Sequence, residues 1–143
     1  MQTALDEARA AAARGEVPVG AAVTDATGRL LAAAGNRVEE LADPSAHAEM
    51  LALRLAARLL GDKHLAGCTL TVTLEPCAMC AQAASLFRVG RVVFGAYDPK
   101  GGGVEHGGRV FSQPQCHHAP QVVGGVREAE CAAVLTEFFT ERR

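Results

Sequence analysis

Apolar residues recur along the chain in short runs separated by turn sequences, and their spacing predicts nine helices and strands. In the first third of the chain, the alanine-rich residues 2–14 predict a helix and residues 17–24 predict a strand. Residues 29–34 are expected to pair with that strand as a hairpin, and residues 36–44 to form a polar loop.

The rest of the chain alternates between predicted helices and strands. Strands are predicted over 68–74, 91–95 and 122–123, and helices from near Ser45 to Leu60, over 77–87 and over 127–141. Residues 98–120 are rich in glycine, proline and histidine, so they predict a long loop, and loops of this length inside compact domains are usually functional. The element order predicts an α/β fold, a three-layer α-β-α arrangement with a mixed five-stranded sheet flanked by helices. All 143 residues are expected to form a single domain.

Composition narrows the range of partners. The chain is 49% hydrophobic and 21% charged, as in an average globular domain. Lys and Arg total 14 against 16 Asp and Glu, and aromatic residues make up only 4%. This balance disfavours a general nucleic-acid binder, which is usually basic, so any nucleic acid would have to be recognised locally.

Three features predict a cytoplasmic protein that does not bind membranes. No apolar run reaches the roughly 18 residues that a membrane helix needs. The first residues are acidic where a signal peptide would be basic. The five cysteines are an odd number, which argues against a disulfide framework.

Two short motifs carry the chemistry: His47-Ala48-Glu49 and Pro76-Cys77-Ala78-Met79-Cys80. Two cysteines three residues apart at a helix start face the same side, where the helix N-terminus favours the thiolates that a metal needs. One histidine and two cysteines supply three zinc ligands, and the fourth position is left to water, as in catalytic zinc sites. Glu49 is then placed to move protons, while the backbone amides of Ala48 and Cys77 could orient the hydroxide or the substrate.

Each motif alone also has a simpler interpretation. A Cys-x-x-Cys pair is often redox-active or half of a structural zinc site, and His-x-Glu occurs by chance. A redox pair needs no His-x-Glu, and the chain has no second Cys-x-x-Cys to complete a four-cysteine site. Together and in this order, the two motifs match the signature of zinc-dependent nucleobase deaminases.

Longer stretches extend this match well beyond the metal motifs. They are EVPVGAAV (16–23), GNR (35–37), DPSAHAEMLALR (43–54), TLTVTLEPCAMCAQA (69–83), RVVFGAYDPK (91–100) and ECAAVLTEFF (130–139). On these stretches the chain resembles the cytidine deaminase-like superfamily and, within it, the bacterial deaminases that act on adenosine in tRNA.

The resemblance implies an activity and a set of site residues. His47, Cys77 and Cys80 would bind one Zn²⁺ per subunit, and Glu49 would shuttle protons while zinc-bound hydroxide attacks the amine-bearing ring carbon. The implied reaction converts adenosine to inosine at the wobble position of a tRNA anticodon arm.

The same resemblance implies two substrate contacts and a homodimer. Asn36 would contact the nucleoside and Asp98 would lie near the substrate backbone, although a loop cap and a turn former explain these two residues as well. The charge-free helix 77–87 and the almost wholly apolar helix 50–60 agree with a homodimer, because one small domain has difficulty covering both.

The chain departs from the tRNA enzymes where the substrate is chosen. Those enzymes typically carry a basic loop after the FGA strand, whereas here Lys100, Glu105 and Arg109 are the only permanent charges in residues 100–126. A deaminase of a free nucleobase or nucleoside, such as guanine or cytosine, therefore remains the alternative. A non-catalytic binding protein of the same fold, and a second metal site at Cys116-His117-His118, are the less favoured hypotheses.

Overall fold

The computed structural model describes residues 1–142; Arg143, the last residue of the predicted domain, lies outside them. The chain forms, in order, α1 (Gln2–Ala13), β1 (Gly20–Thr24), β2 (Leu30–Gly35), α2 (Val38–Leu41), α3 (Ala48–Leu60), β3 (Thr69–Leu74), α4 (Ala78–Leu86), β4 (Arg91–Ala96), β5 (Gln121–Val123) and α5 (Glu128–Glu141).

The five strands form one mixed sheet in the order β2-β1-β3-β4-β5. The strand β1 pairs antiparallel with both β2 and β3, whereas the pairs β3–β4 and β4–β5 are parallel. Helices α1 and α5 pack on one face of the sheet, and α3 and α4 cover the other. The predicted three-layer fold with a mixed five-stranded sheet is therefore confirmed.

Helix α1 lies unusually close to the sheet because both surfaces are built from small residues. Its buried face is formed by Ala4, Leu5, Ala8 and Ala11. A methyl group added at Gly20 of β1 would lie 2.6 Å from the backbone nitrogen of Ala8 and would also overlap Ala4. The absence of a side chain at Gly20 thus sets the distance between the first helix and the sheet.

The strand ends bring the chemically important segments to one edge of the sheet. Gly20 pairs with Gly35, so the start of β1 and the end of β2 lie together. Leu74 at the end of β3 pairs in register with Ala96 at the end of β4. Because β1 is antiparallel to β3, all four of these strand ends meet at the same edge, where open α/β sheets bind ligands.

Three segments differ from their predictions. The strand predicted over 17–24 begins only at Gly20, after Pro18, which has no N–H to donate to a neighbouring strand. The expected polar loop over 36–44 contains the single helical turn α2, and the helix expected from near Ser45 begins at Ala48. The delay has a local cause, since Asp43 Oδ1 accepts hydrogen bonds from both the backbone N–H and the hydroxyl of Ser45 and holds this segment in a turn.

The long segment 98–120 is a loop, as predicted, with one 3₁₀ turn over Val110–Ser112. On α5, Cys131, Val134 and Phe138 of the predicted apolar stripe are buried, while Phe139 is 48% exposed. Across residues 1–142, no helix combines the length and the apolar character needed to cross a membrane.

Candidate active site

The three predicted zinc ligands come from the starts of two helices on the same face of the sheet. His47 is the N-cap residue of α3, and Cys77 is the N-cap residue of α4. Cys80 lies in the first turn of α4, so its sulfur faces the same side as that of Cys77. Both caps have extended backbone torsions, and their side chains approach each other between the two helix starts.

The spacing of the ligand atoms fits zinc. His47 Nδ1 lies 3.6 Å from Cys77 Sγ and 3.5 Å from Cys80 Sγ. Ordinary Zn–S and Zn–N bond lengths at a tetrahedral angle give a sulfur–nitrogen separation of about 3.6 Å. The ligand atoms all lie within 4.8 Å of one another, and among residues 1–142 no other group of three His, Cys, Asp or Glu residues has such an arrangement.

Hydrogen bonds among the two thiols and the imidazole shift the pKa values of the thiols in a way that favours binding of a cation. Hydrogen bonds from Cys80, chiefly, and from His47 together lower the pKa of the Cys77 thiol to about 4, against the opposing effect of burial. The same hydrogen bond, together with burial, raises the pKa of the Cys80 thiol. The pair therefore forms one thiolate readily, and a bound dication would displace the second thiol proton.

Glu49 supplies a buried carboxyl group next to these ligands. The residue is only 4% exposed, and burial raises its pKa to about 7. A carboxyl group with a pKa near neutrality can both accept and return a proton, which is the requirement for a general acid and base.

His47, Glu49 and Cys77 line one pocket with a volume of about 560 Å³, a size typical of small-molecule sites. The opposite walls come from residues around the sheet edge, namely Gly15, Glu16, Val17, Val19, Asn36, Val38, Glu39, Leu74, Glu75, Asp98, Gly101 and Phe138. Two of the three expected metal ligands, the expected proton shuttle and two of the expected substrate contacts thus share a single cavity, and Cys80 is buried beside it.

A hydrogen bond joins Asn36 and Ala48. The Ala48 N–H donates to Asn36 Oδ1 at 2.8 Å, and Asn36 Nδ2 donates to the carbonyl of Val17 at 3.2 Å. The Ala48 amide, expected to orient the substrate, is therefore engaged by Asn36, which caps the start of α3 at the residue directly before Glu49. Contact of Asn36 or Ala48 with a substrate stays a prediction.

Asp98 lines the pocket and also organises a turn. Its Oδ1 accepts hydrogen bonds from the N–H groups of Lys100 and Gly101, at 3.2 and 3.0 Å. The turn-forming role considered from the sequence is thus present, and proximity of Asp98 to the substrate backbone stays a prediction.

Two buried glutamates in the pocket wall were missed. Glu75 accepts hydrogen bonds from the loop that follows β4, and Glu16 accepts from the N–H groups of Glu39 and Glu40 at the start of α2. For both carboxyl groups burial raises the pKa, but the hydrogen bonds outweigh it and the pKa is lowered. The sequence offered one signal for these residues. Glu16 follows a glycine and Glu75 precedes a proline, and each lies beside a strongly apolar segment, where an isolated acidic residue is unusual and indicates a buried hydrogen-bonding role.

Cys116 and His118 have structural partners instead of a metal arrangement. Ser85 Oγ donates to the carbonyl of His118 at 2.6 Å, and His118 Nε2 lies 2.7 Å from the carbonyl of Val89. Cys116 Sγ contacts the same Ser85 hydroxyl at 3.5 Å. These bonds fasten the end of the long loop to α4.

Comparisons with known proteins agree with this geometry. The family model described as the cytidine and deoxycytidylate deaminase zinc-binding region matches residues 1–96, which include all three metal-ligand candidates and Glu49. A tRNA-specific adenosine deaminase of Agrobacterium fabrum is 53% identical over 143 residues, covering 100% of this chain and 93% of the relative.

Two solved structures illustrate the similarity of the fold. One, from studies of A-to-I editing by tRNA:A34 deaminases at the wobble position of transfer RNA, superposes with a TM-score of 0.92 at 53% identity and covers 94% of this chain and 97% of the other. A guanine deaminase from Nitrosomonas europaea superposes with a TM-score of 0.80 at 27% identity, covering 97% and 82%.

Proposed function

Since the chain belongs to the cytidine and deoxycytidylate deaminase family, we propose that it is a zinc-dependent aminohydrolase that converts adenosine to inosine at the wobble position of tRNA. The observation that carries the chemistry is the placement of Glu49 in the same pocket as His47 and Cys77, with Cys80 beside them. The observation that favours the substrate is 53% identity, over the whole chain, to a tRNA-specific adenosine deaminase.

The residues of the pocket have separate roles in the hydrolysis. Zinc held by His47, Cys77 and Cys80 would act as a Lewis acid toward an attacking water. Glu49 accepts a proton from that water as its oxygen bonds to the amine-bearing ring carbon, and returns the proton to the adjacent ring nitrogen. Glu49 then moves the proton of the newly attached hydroxyl group to the amine. The carbon–nitrogen bond breaks, ammonia leaves, and the oxygen stays on the ring as a carbonyl.

The size of the pocket is consistent with action on RNA by a chain that is not basic. A pocket of about 560 Å³ encloses a single splayed-out base and does not need the extended basic surface of a general nucleic-acid binder. The formal charge of −2 is therefore compatible with local recognition of one anticodon loop.

The mechanism is tested by Glu49→Gln, which keeps the size of the side chain and removes its proton transfer. We expect turnover to fall by about 10²–10⁴-fold, the usual contribution of a general acid–base, while one zinc per chain is retained. Glu137→Gln changes an exposed carboxylate of α5 and serves as the matched control. Full activity of Glu49→Gln, with zinc bound, would rule out the assigned role.

We also propose that the protein is a homodimer that acts in the cytoplasm. Helices α3 and α4 share one face of the sheet and present large exposed apolar side chains, among them Leu59 at 60% and Leu86 at 65% exposure. Burial of such side chains against a second copy is favourable by about 25 cal/mol per Å². Sedimentation should detect a dimer that Leu59→Glu and Leu86→Glu together weaken, and a wild-type monomer at all concentrations would contradict the proposal.

A further inference from the structure

We propose that Glu75 and His106 act as a positioning pair that fixes the segment 98–106, defined here as the pocket loop, for substrate binding. This inference rests on the proposed function. It concerns residues that neither hold the metal nor transfer protons in the mechanism above.

The carboxylate of Glu75 is the hub of the pocket loop. Its side chain is 0% exposed, and its Oε2 accepts hydrogen bonds from three successive backbone N–H groups, those of Val104, Glu105 and His106, at 3.2, 2.9 and 3.1 Å. Its Oε1 accepts from the N–H of Asp98 at 3.1 Å. One buried side chain therefore holds both ends of the loop.

His106 completes this arrangement from the solvent side. Its Nδ1 lies 2.8 Å from Glu75 Oε1, and because a carboxylate only accepts, Nδ1 donates. The imidazole is 35% exposed and its ring packs edge-on against Tyr97, with the ring centroids 6.2 Å apart. His106 thus binds the same carboxylate through its backbone and its ring, so it closes the loop onto Glu75.

The loop is also docked onto the start of the helix that carries the cysteines. The Gly103 N–H donates to the carbonyl of Pro76 at 2.8 Å. A methyl group added at Gly103 would lie 2.6 Å from the backbone nitrogen of Ala78, so the two backbones are in direct contact. The loop therefore touches the residues on both sides of Cys77.

The position of the loop determines the shape of one pocket wall. Asp98 and Gly101 line the cavity together with Glu75, and the Asp98 carboxylate ties Gly101 to the same turn. A displacement of the loop would move this wall, whereas Glu49 and Cys80 belong to α3 and α4 and His47 is the N-cap residue of α3, so all three lie outside the loop. The expected consequence is weaker substrate binding with little change in the chemical step.

The test compares two substitutions of His106 in the zinc-loaded full chain. His106→Leu removes the donor, and His106→Asn can restore it through a side-chain N–H. We expect His106→Leu to raise the KM for an anticodon stem-loop about tenfold, the effect of one charge-assisted hydrogen bond, with kcat per bound zinc within about twofold. His106→Asn should recover most of the lost affinity. His117→Leu changes an exposed histidine of the same long loop and is the control.

A second variant and a second readout keep the inference separable from the proposed function. In Glu75→Gln, one of the two accepting oxygens is replaced by an NH₂ group, which cannot accept hydrogen bonds from the N–H groups of the loop. This variant should therefore also raise KM. Hydrogen exchange at residues 104–106 should accelerate in His106→Leu and not in His117→Leu. An unchanged KM, with losses confined to zinc content or melting temperature, would overturn the positioning role. If the wild type fails to deaminate any stem-loop, the proposed function fails, and unchanged exchange at 104–106 would then separately refute the pair.

Discussion

Replacing Glu16 tests whether a buried carboxylate that is not an expected metal ligand shapes the pocket. Glu16 is 2% exposed and its two oxygens accept the N–H groups of Glu39 and Glu40, at 3.0 and 2.9 Å, so it caps α2 from 23 residues away. Removal of a helix cap typically costs about 1–2 kcal/mol. For a chain of this size, that corresponds to a fall in melting temperature of roughly 3–8 °C.

The contribution of Glu16 should depend on pH in a defined direction. Burial raises its pKa, but the two N–H donors and Arg14 lower it more, so the folded-state pKa lies below the usual value. A lowered pKa means that the stabilisation is complete above the unfolded value of about 4.3 and is lost as the pH falls through the folded value. The difference between the wild type and Glu16→Gln should therefore shrink below about pH 4.

Urea denaturation of both zinc-loaded proteins at several pH values measures this difference directly. The metal site is the same in both proteins, so its own pH dependence cancels in the comparison. Because Val38 and Glu39 of α2 line the pocket, Glu16→Gln should also raise KM. Equal stability at pH 7, or a stability gap that stays constant down to pH 3.5, would refute the assignment of Glu16 as a charged cap.

Three further changes probe the metal site, the packing of α1 and the start of α3. Cys80→Ala should lose zinc and lower the melting temperature, since metal binding is coupled to folding; elemental analysis checks this, and full zinc retention would count against the ligand. Gly20→Ala should destabilise the fold by about 1–3 kcal/mol through overpacking, whereas Gly108→Ala, where an added methyl meets nothing within 4 Å, should be close to neutral in denaturant unfolding. Asn36→Ala should cost about 1 kcal/mol by freeing the Ala48 amide and should lower kcat/KM; a melting curve and turnover that match the wild type would show that this bond is dispensable.

The sheet and the metal site could be predicted from the sequence because their signals are local. Strand β3 alternates over 69–74, and the Cys77–Cys80 spacing places two sulfurs on one side of any helix. The order of the two motifs, together with the resemblance to a known family, then predicted that His47 binds the same metal as the two cysteines. The structure places these ligand atoms within 4.8 Å of one another.

Helix α2 and the hydrogen-bond partners of the two buried glutamates could not be predicted, because these partners are distant in the chain. Four residues, Val38–Leu41, are too few to show a helical period, and the carboxylate that caps them belongs to Glu16. Glu75 binds backbone N–H groups 23 to 31 residues away, which a pattern of side-chain types does not reveal. The partner of the Ala48 amide was also hidden in the sequence. Its hydrogen bond to Asn36 joins two separate segments, so the amide was expected to orient the substrate instead.

The most direct test of the account is the substrate itself. The zinc-loaded wild type is incubated with an anticodon stem-loop that carries adenosine at the wobble position and, in parallel, with free guanine, cytosine and adenosine. Mass spectrometry of the nucleosides and ammonia release are followed together. We predict inosine at the wobble position, one ammonia per conversion, and no change in free guanine, cytosine or adenosine. Rapid turnover of free guanine with an inert stem-loop would contradict it.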